Sequence, residues 1–278
     1  MGKPERSSMA GKDTEEKKED EIQERTAPPG EVVYQAIYRE GEHELQRRSS
    51  ALLFSGLAAG LSMGFSLVGE GVLRSRLPDA PWAVLITKFG YSLGFLIVIL
   101  GRQQLFTKNT LTVILPLLKE RHPSLLLNVA RLWAVVLIAN LAGAFLFAWM
   151  LAHTQLFEED VRQTFTQIST LTLQPAWSTI LLRSALAGWL IALMVWLLPF
   201  AETGRIWVII LIAYLVGIAE LPHIVAGSVE NFYLLLSGSI SLGHALGHFL
   251  LPALLGNVIG GVALVAVGAH AEFTVAEK

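Results

Sequence analysis

The chain has 278 residues, of which 53% are hydrophobic and only 16% charged, with a formal net charge of −2 and no cysteine. The missing cysteine excludes disulfides, iron–sulfur clusters and thiolate chemistry, and the near-neutral charge gives no reason to expect a nucleic acid partner. The charge is concentrated at one end: residues 1–50 hold 9 of the 21 Lys and Arg and 12 of the 23 Asp and Glu, the pattern of a solvated tail joined to a membrane domain.

Residues 1–30 are rich in Lys and Glu and close with Ala27-Pro28-Pro29-Gly30, which predicts a disordered charged tail; it lacks the short apolar region of a secretory signal. Residues 31–48 carry Val33, Ile37 and Tyr38 at helical spacing and end in Arg47-Arg48, the pattern of an amphipathic helix at a membrane surface. A channel domain of six spans is expected over 49–270, followed by a short tail, 271–278. The first span, about 50–73, is studded with small residues (Ser55, Gly56, Gly60, Gly64) that let neighbouring helices approach closely.

The second apolar run, from Trp82 to Gly101, meets Arg102-Gln103-Gln104-Leu105-Phe106-Thr107-Lys108-Asn109 and resumes as Thr110–Leu118. Crossing a bilayer takes about 20 apolar residues, so the two pieces read as one discontinuous span. A third span covers about 125–152, a polar piece follows at 158–172, and a fourth span covers about 176–200. The run from Ile206 to Leu236 is interrupted by Glu220-Leu221-Pro222-His223-Ile224-Val225-Ala226-Gly227-Ser228, where proline cannot continue the helix ladder. The sixth span is about 243–267. Six spans put both ends of the chain on one side. Arg39, Arg47, Arg48, Lys119 and Arg121 lie on that side, opposed by Arg74 and Arg76, so both termini are expected in the cytoplasm.

The halves repeat. Asn140-Leu141-Ala142-Gly143 resembles Asn257-Val258-Ile259-Gly260 at an offset of 117, and the same offset carries Phe106 onto His223. Three spans per half imply an inverted 3+3 repeat, and paired breaks in such a repeat point to a solute site near the midplane. The expected fold is therefore an all-α membrane protein with broken second and fifth helices.

His223 sits among apolar residues, and an ionisable group at membrane depth is a functional hypothesis by default. Two roles stand for it: lining a solute pathway, or capping the broken helix as a neutral ring hydrogen bonded to a backbone carbonyl. Thr107 likewise either contacts solute or caps the half-helix after it. Tyr91, Phe95 and Phe106 are either a constriction or ordinary helix packing. Asn257 and Asn140 suit interhelical hydrogen bonding. Glu220 and Glu230 are read as lining an entrance or pairing with Arg131 or Arg183. His244 and His248 have the four-residue spacing of two metal ligands, but no third ligand is identifiable, so they are placed at a vestibule or subunit face; no metal and no cofactor is expected.

Five segments together resemble the formate/nitrite transporter family: Tyr91-Ser92-Leu93-Gly94, Leu105-Phe106-Thr107, Asn140-Leu141-Ala142-Gly143, His223-Ile224-Val225-Ala226 and Gly256-Asn257-Val258-Ile259-Gly260-Gly261. The resemblance runs over about 32–268 and is most similar to an enterobacterial inner-membrane branch. It implies an aquaporin-like fold, a homopentamer with a pore in each protomer, and passage of a small monovalent weak-acid anion or its neutral acid. It also implies that His223 gives a proton to the passing anion, that Asn257 holds that histidine, that Thr107 lies near the pore centre, and that Tyr91, Phe95 and Phe106 constrict it. The chain departs from the family pattern at Gln104, where an acid is usual and which Gln103 and Arg102 precede, at Ala187-Gly188 in the fourth span, and at Pro222 before the histidine. It also has no lysine between Lys119 and Lys278. A pore for neutral solutes, or a membrane sensor or scaffold acting through its tail, are the alternative functions.

Overall fold

The computed structural model describes residues 29–266 together with 268, 271 and 272; the expectations for the tail over 1–28 and for 273–278 lie outside the described residues. Within them the chain is all helical. Helix α1 (Gly30–Gln46) buries Val33, Tyr34, Ile37, Tyr38, Gly41, Glu44 and Leu45, the i, i+3, i+4 stripe of a helix with one packed face. Tyr38 donates to the Glu120 carboxylate at 2.7 Å, and burial, then this carboxylate, raise its pKa well above the tyrosine range.

Four long apolar helices follow the chain: α2 (Ser49–Arg76), α3 (Ala83–Leu100), α6 (Pro123–His153) and α8 (Trp177–Leu197). A fifth, α11 (Leu242–Ala263), contains wide π-helical turns at Ala245–Leu250 and from Gly260 on. Each is long enough to cross a bilayer, at about 1.5 Å per residue. That includes α3, which the sequence reading had judged too short alone. Between them lie α4 (Phe106–Thr112), α5 (Ile114–Glu120), α7 (Glu159–Leu171), α9 (Arg205–Ile218) and α10 (Ile224–Leu236). In each of the first four long helices only 44% of the apolar window is buried within the chain. The rest leaves side chains such as Phe54, Leu127 and Leu182 open, faces that need lipid or further protein to cover them.

Two helix pairs pack backbone to backbone. A side chain on Gly60 of α2 would strike the Asn140 carbonyl of α6, and one on Gly260 of α11 the Ala185 carbonyl of α8. Only glycine permits these approaches. Helix α7, the polar stretch between the third and fourth long helices, buries Val161, Thr164, Phe165, Ile168 and Ser169 and covers one end of the bundle. Helix α1 covers the other.

The breaks have one geometry. Helix α3 ends with Arg102 N–H donating to the Ile99 carbonyl at 3.1 Å and Gln103 N–H to Val98 at 2.9 Å. Helix α9 ends with Glu220 N–H donating to Gly217 at 3.1 Å and Leu221 N–H to Val216 at 3.0 Å. Both are Schellman terminations, and both place a charged residue, Arg102 or Glu220, at φ 50° in the left-handed region usually left to glycine. The chain then runs extended through Leu105 or His223 and restarts as α4 or α10. The first restart comes at Phe106, four residues before the expected Thr110. The matching positions are Arg102 with Glu220 and Leu105 with His223. His223 thus corresponds to Leu105, not to Phe106, because the stretch from Phe106 to Asn140 is one residue longer than that from Ile224 to Asn257.

Candidate functional site

Two asparagines clamp the breaks. Asn140 of α6 accepts from Phe106 N–H at 2.9 Å and donates to the Gly56 and Gln104 carbonyls, both at 2.8 Å. Asn257 of α11 accepts from Ile224 N–H at 2.8 Å and donates to the carbonyls of Ser184 at 2.8 Å and Pro222 at 3.1 Å. Each amide therefore ties the extended strand on both sides to a long helix, satisfying backbone groups that the interruption leaves without helical partners. Asn257 makes no bond to the His223 ring; it holds the backbone on either side of it. Gly188 brings the α8 backbone against that of Asn257, where a Cβ would collide, and Ala187 beside it is buried.

The clamps bring one side chain from each break together. Thr107 Oγ1 and His223 Nε2 are 2.7 Å apart, both buried. His223 Nδ1 accepts from Ala226 N–H at 3.2 Å, which leaves the ring proton of the neutral imidazole on Nε2, donated to Thr107. The threonine hydroxyl then has its own proton free to donate. His223 is both the N-cap of α10 and the polar group facing the other break; it caps by accepting from the Ala226 N–H rather than by bonding to a carbonyl, as the sequence had suggested. Thr107 is no cap: α4 begins before it, at Phe106, with Leu105 at the N-cap position. Phe95 meets the imidazole edge-on at 5.0 Å between ring centres, and Tyr91 lies 5.5 Å from Phe95. Phe106 instead packs edge-on against Trp133 at 5.7 Å.

A cavity opens on the α7 side of this centre, with about 60 Å³ open to water-sized occupants, room for a few water molecules. His223, Tyr91, Glu220 and Glu230 line it, together with Glu70, Lys88 and Arg183. Lys88 forms a salt bridge with Glu70, and Arg183 lies 3.7 Å from Glu220. Arg131 pairs with neither glutamate; it donates to the Leu45 carbonyl at 2.7 Å. Sequence reasoning passed over Glu70 and Lys88, although ionisable residues inside the first and second apolar runs were a signal of the same kind as Glu230. His244 and His248 stack at 4.6 Å, and His248 lies 3.1 Å from the Leu173 carbonyl, away from the central contact. Among the described residues no group of three or more His, Asp or Glu could hold a metal ion.

On the α1 side, Gln104 is buried and donates to Glu44 Oε2 at 2.8 Å while accepting from Asn109 at 3.0 Å. An acid does sit at this position, supplied by α1 rather than by the residue itself. A second, wider cavity lies there between α1, the end of α3, the end of α8 and Arg205.

A helical bundle with two interrupted helices meeting at a buried polar contact, and a cavity on either side, has the form of a membrane channel or transporter. The family model for the formate/nitrite transporter matches residues 31–271. The chain is 39% identical over 241 residues to the inner membrane protein YfdC of Escherichia coli (strain K12), covering 87% of this chain and 78% of that one. The chain belongs to the formate/nitrite transporter family. Its fold matches a pentameric formate channel with formate bound (TM-score 0.68, 21% identity, 83% of this chain and 98% of that chain) and an FNT family ion channel (TM-score 0.70, 18% identity, 85% and 97%).

Proposed function

We propose that the chain is an inner-membrane channel for a small monovalent weak-acid anion of the formate or nitrite class, or its neutral acid. Each protomer of a homopentamer carries one pore with His223 at its centre. In this reading α9 and α10 form the fifth of six spans, the two halves are an inverted repeat, α1 lies on the membrane surface, and both termini are cytoplasmic. The observation that carries it is the Thr107–His223 contact, one residue from each break, set among the apolar rings of Phe95 and Tyr91.

The chemistry follows from the cost of charge. A bare anion in a narrow apolar passage loses several kcal/mol or more of hydration that cannot be recovered there. The neutral acid avoids most of that cost and still offers a carbonyl or nitrosyl oxygen to the free Thr107 proton and to Nε2–H. Charging His223 requires a proton on Nδ1, which would break its bond from Ala226 N–H, so the neutral ring serves best as a donor. Supply of the solute's own proton then falls to the watered cavities.

The test is uptake by proteoliposomes of formate, nitrite, acetate, lactate, hydrosulfide, glycerol and water at about pH 5.5 and 7.5. Anion uptake that accelerates at the lower pH and is lost in a folded oligomeric His223→Phe variant is the expected result. Flux of water or glycerol alone would replace this reading with a neutral-solute pore. No flux at all would turn attention to a sensor acting through the tail. Orientation is checked independently: the chain has no cysteine, so Ser50→Cys and Ser239→Cys, both exposed positions, should react with an impermeant maleimide from opposite sides.

A further inference from the structure

Among the described residues the ion pairs account for the charges of the two cavities differently. On the α1 side, Lys108 is 2.6 Å from Glu40 and Arg47 is 3.0 Å from Glu44, so these pairs cancel. Arg102 and Arg205 remain on the wall, exposed and with no carboxylate partner among the described residues. His43 is the remaining titratable group there and adds charge of the same sign when protonated. Gln103, on the same wall, has its buried side-chain oxygen without a hydrogen-bond partner; exchanging the amide oxygen and nitrogen would present a donor there. On the α7 side, Lys88 pairs with Glu70 and Arg183 with Glu220. Glu230 is left, buried at 4% exposure and with no ion pair among the described residues. The space differs as well: about 640 Å³ on the α1 side against about 60 Å³ on the α7 side.

We propose that the α1-side cavity is a binding site for a small monocarboxylate, held by Arg102, Arg205 and Gln103 before it reaches the break. Guanidinium groups suit this ligand because their paired N–H donors match the two oxygens of a carboxylate. The proposal deepens the channel reading and rests on it only for where the bound anion goes next. A passive pore at zero voltage must have the same ratio of maximal rate to half-saturating concentration from either face, so the asymmetry cannot produce net pumping. It shows instead as a lower half-saturating concentration, and a proportionally lower maximal rate, from the α1 face.

Two measurements test it. In membrane vesicles of the two polarities, acetate uptake into acetate-free lumens should half-saturate about tenfold lower from the α1 face at low ionic strength, a gap that added salt narrows by screening. Arg102→Asn, whose side chain tolerates the left-handed backbone, and Arg205→Gln should each raise the α1-face value about threefold, within the range of one partly screened charge. Separately, phenylglyoxal labelling of Arg102 and Arg205, read by peptide mass spectrometry, should be slowed by acetate while that of exposed Arg121 is not. Protection without flux of any anion would sink the channel reading and leave the site standing. Equal half-saturation from both faces with no protection would overturn the site while the channel reading survives, and neither flux nor protection would overturn both.

Discussion

The two breaks have the same backbone and different chemistry. Each ends its helix with the same pair of hydrogen bonds, puts a charged residue at φ 50°, and is clamped by one asparagine making three bonds. At the last extended position, however, one has Leu105, which caps nothing, and the other has His223, which caps α10 and reaches Thr107. At the left-handed position one has Arg102 and the other Glu220. One backbone geometry used twice therefore builds the centre, while the imidazole is present at only one of the two breaks. What repeats is what the backbone needs to be interrupted inside an apolar bundle; what differs is the side chains carried at matching positions.

The largest effect should come from breaking what the two share. Asn257→Leu leaves Ile224 N–H and the Ser184 and Pro222 carbonyls without this partner, at a cost of about 3 kcal/mol or more. Asn140→Leu should cost a similar amount through Phe106, Gly56 and Gln104. Thermal unfolding in detergent measures both, and a much smaller loss in one would show that the scaffolds are not equivalent. Next, His223→Leu makes the second break like the first. The loss of the cap should cost about 1 kcal/mol with the oligomer retained, while anion flux falls at least about tenfold; unchanged flux would remove the histidine from the mechanism. Thr107→Val removes the hydroxyl from the other side, with a stability change of about 1 kcal/mol and a severalfold loss of flux. Smallest is Arg102→Gly, which relieves the left-handed strain and should stabilise by up to about 1 kcal/mol, with Glu220→Gly behaving alike.

Much of the architecture was legible in the chain. Apolar length marked the long helices to within a few residues, and the polar run at 102–109 and Pro222 marked both interruptions, because only a local failure of apolar pattern or helix propensity can stop a helix in such surroundings. His223, Thr107 and Asn257 were legible as residue types that an apolar bundle does not tolerate without a task. The register between the breaks was misread by one residue, since a sequence offset cannot reveal that one connecting stretch is longer than the other. Phe106 was grouped with Tyr91 and Phe95 because all three are aromatic near a break, yet its ring turns to Trp133. Arg131 was a candidate partner for the glutamates on sequence proximity of spans, and instead it binds the end of α1.

The sequence by itself determined that this is an all-helical chain of membrane-length segments with two interruptions and a small set of buried polar groups, since hydropathy, helix breakers and family motifs are local properties. Only the tertiary structure decided that His223 meets Thr107, that each asparagine spans a break, that Glu44 supplies the acid beside Gln104, and that Lys88 pairs with Glu70 and Lys108 with Glu40 beside the two cavities. These depend on which faces of distant helices meet, and that is set by glycine-permitted backbone contacts, such as Gly60 on Asn140 and Gly260 on Ala185, between residues far apart in the chain.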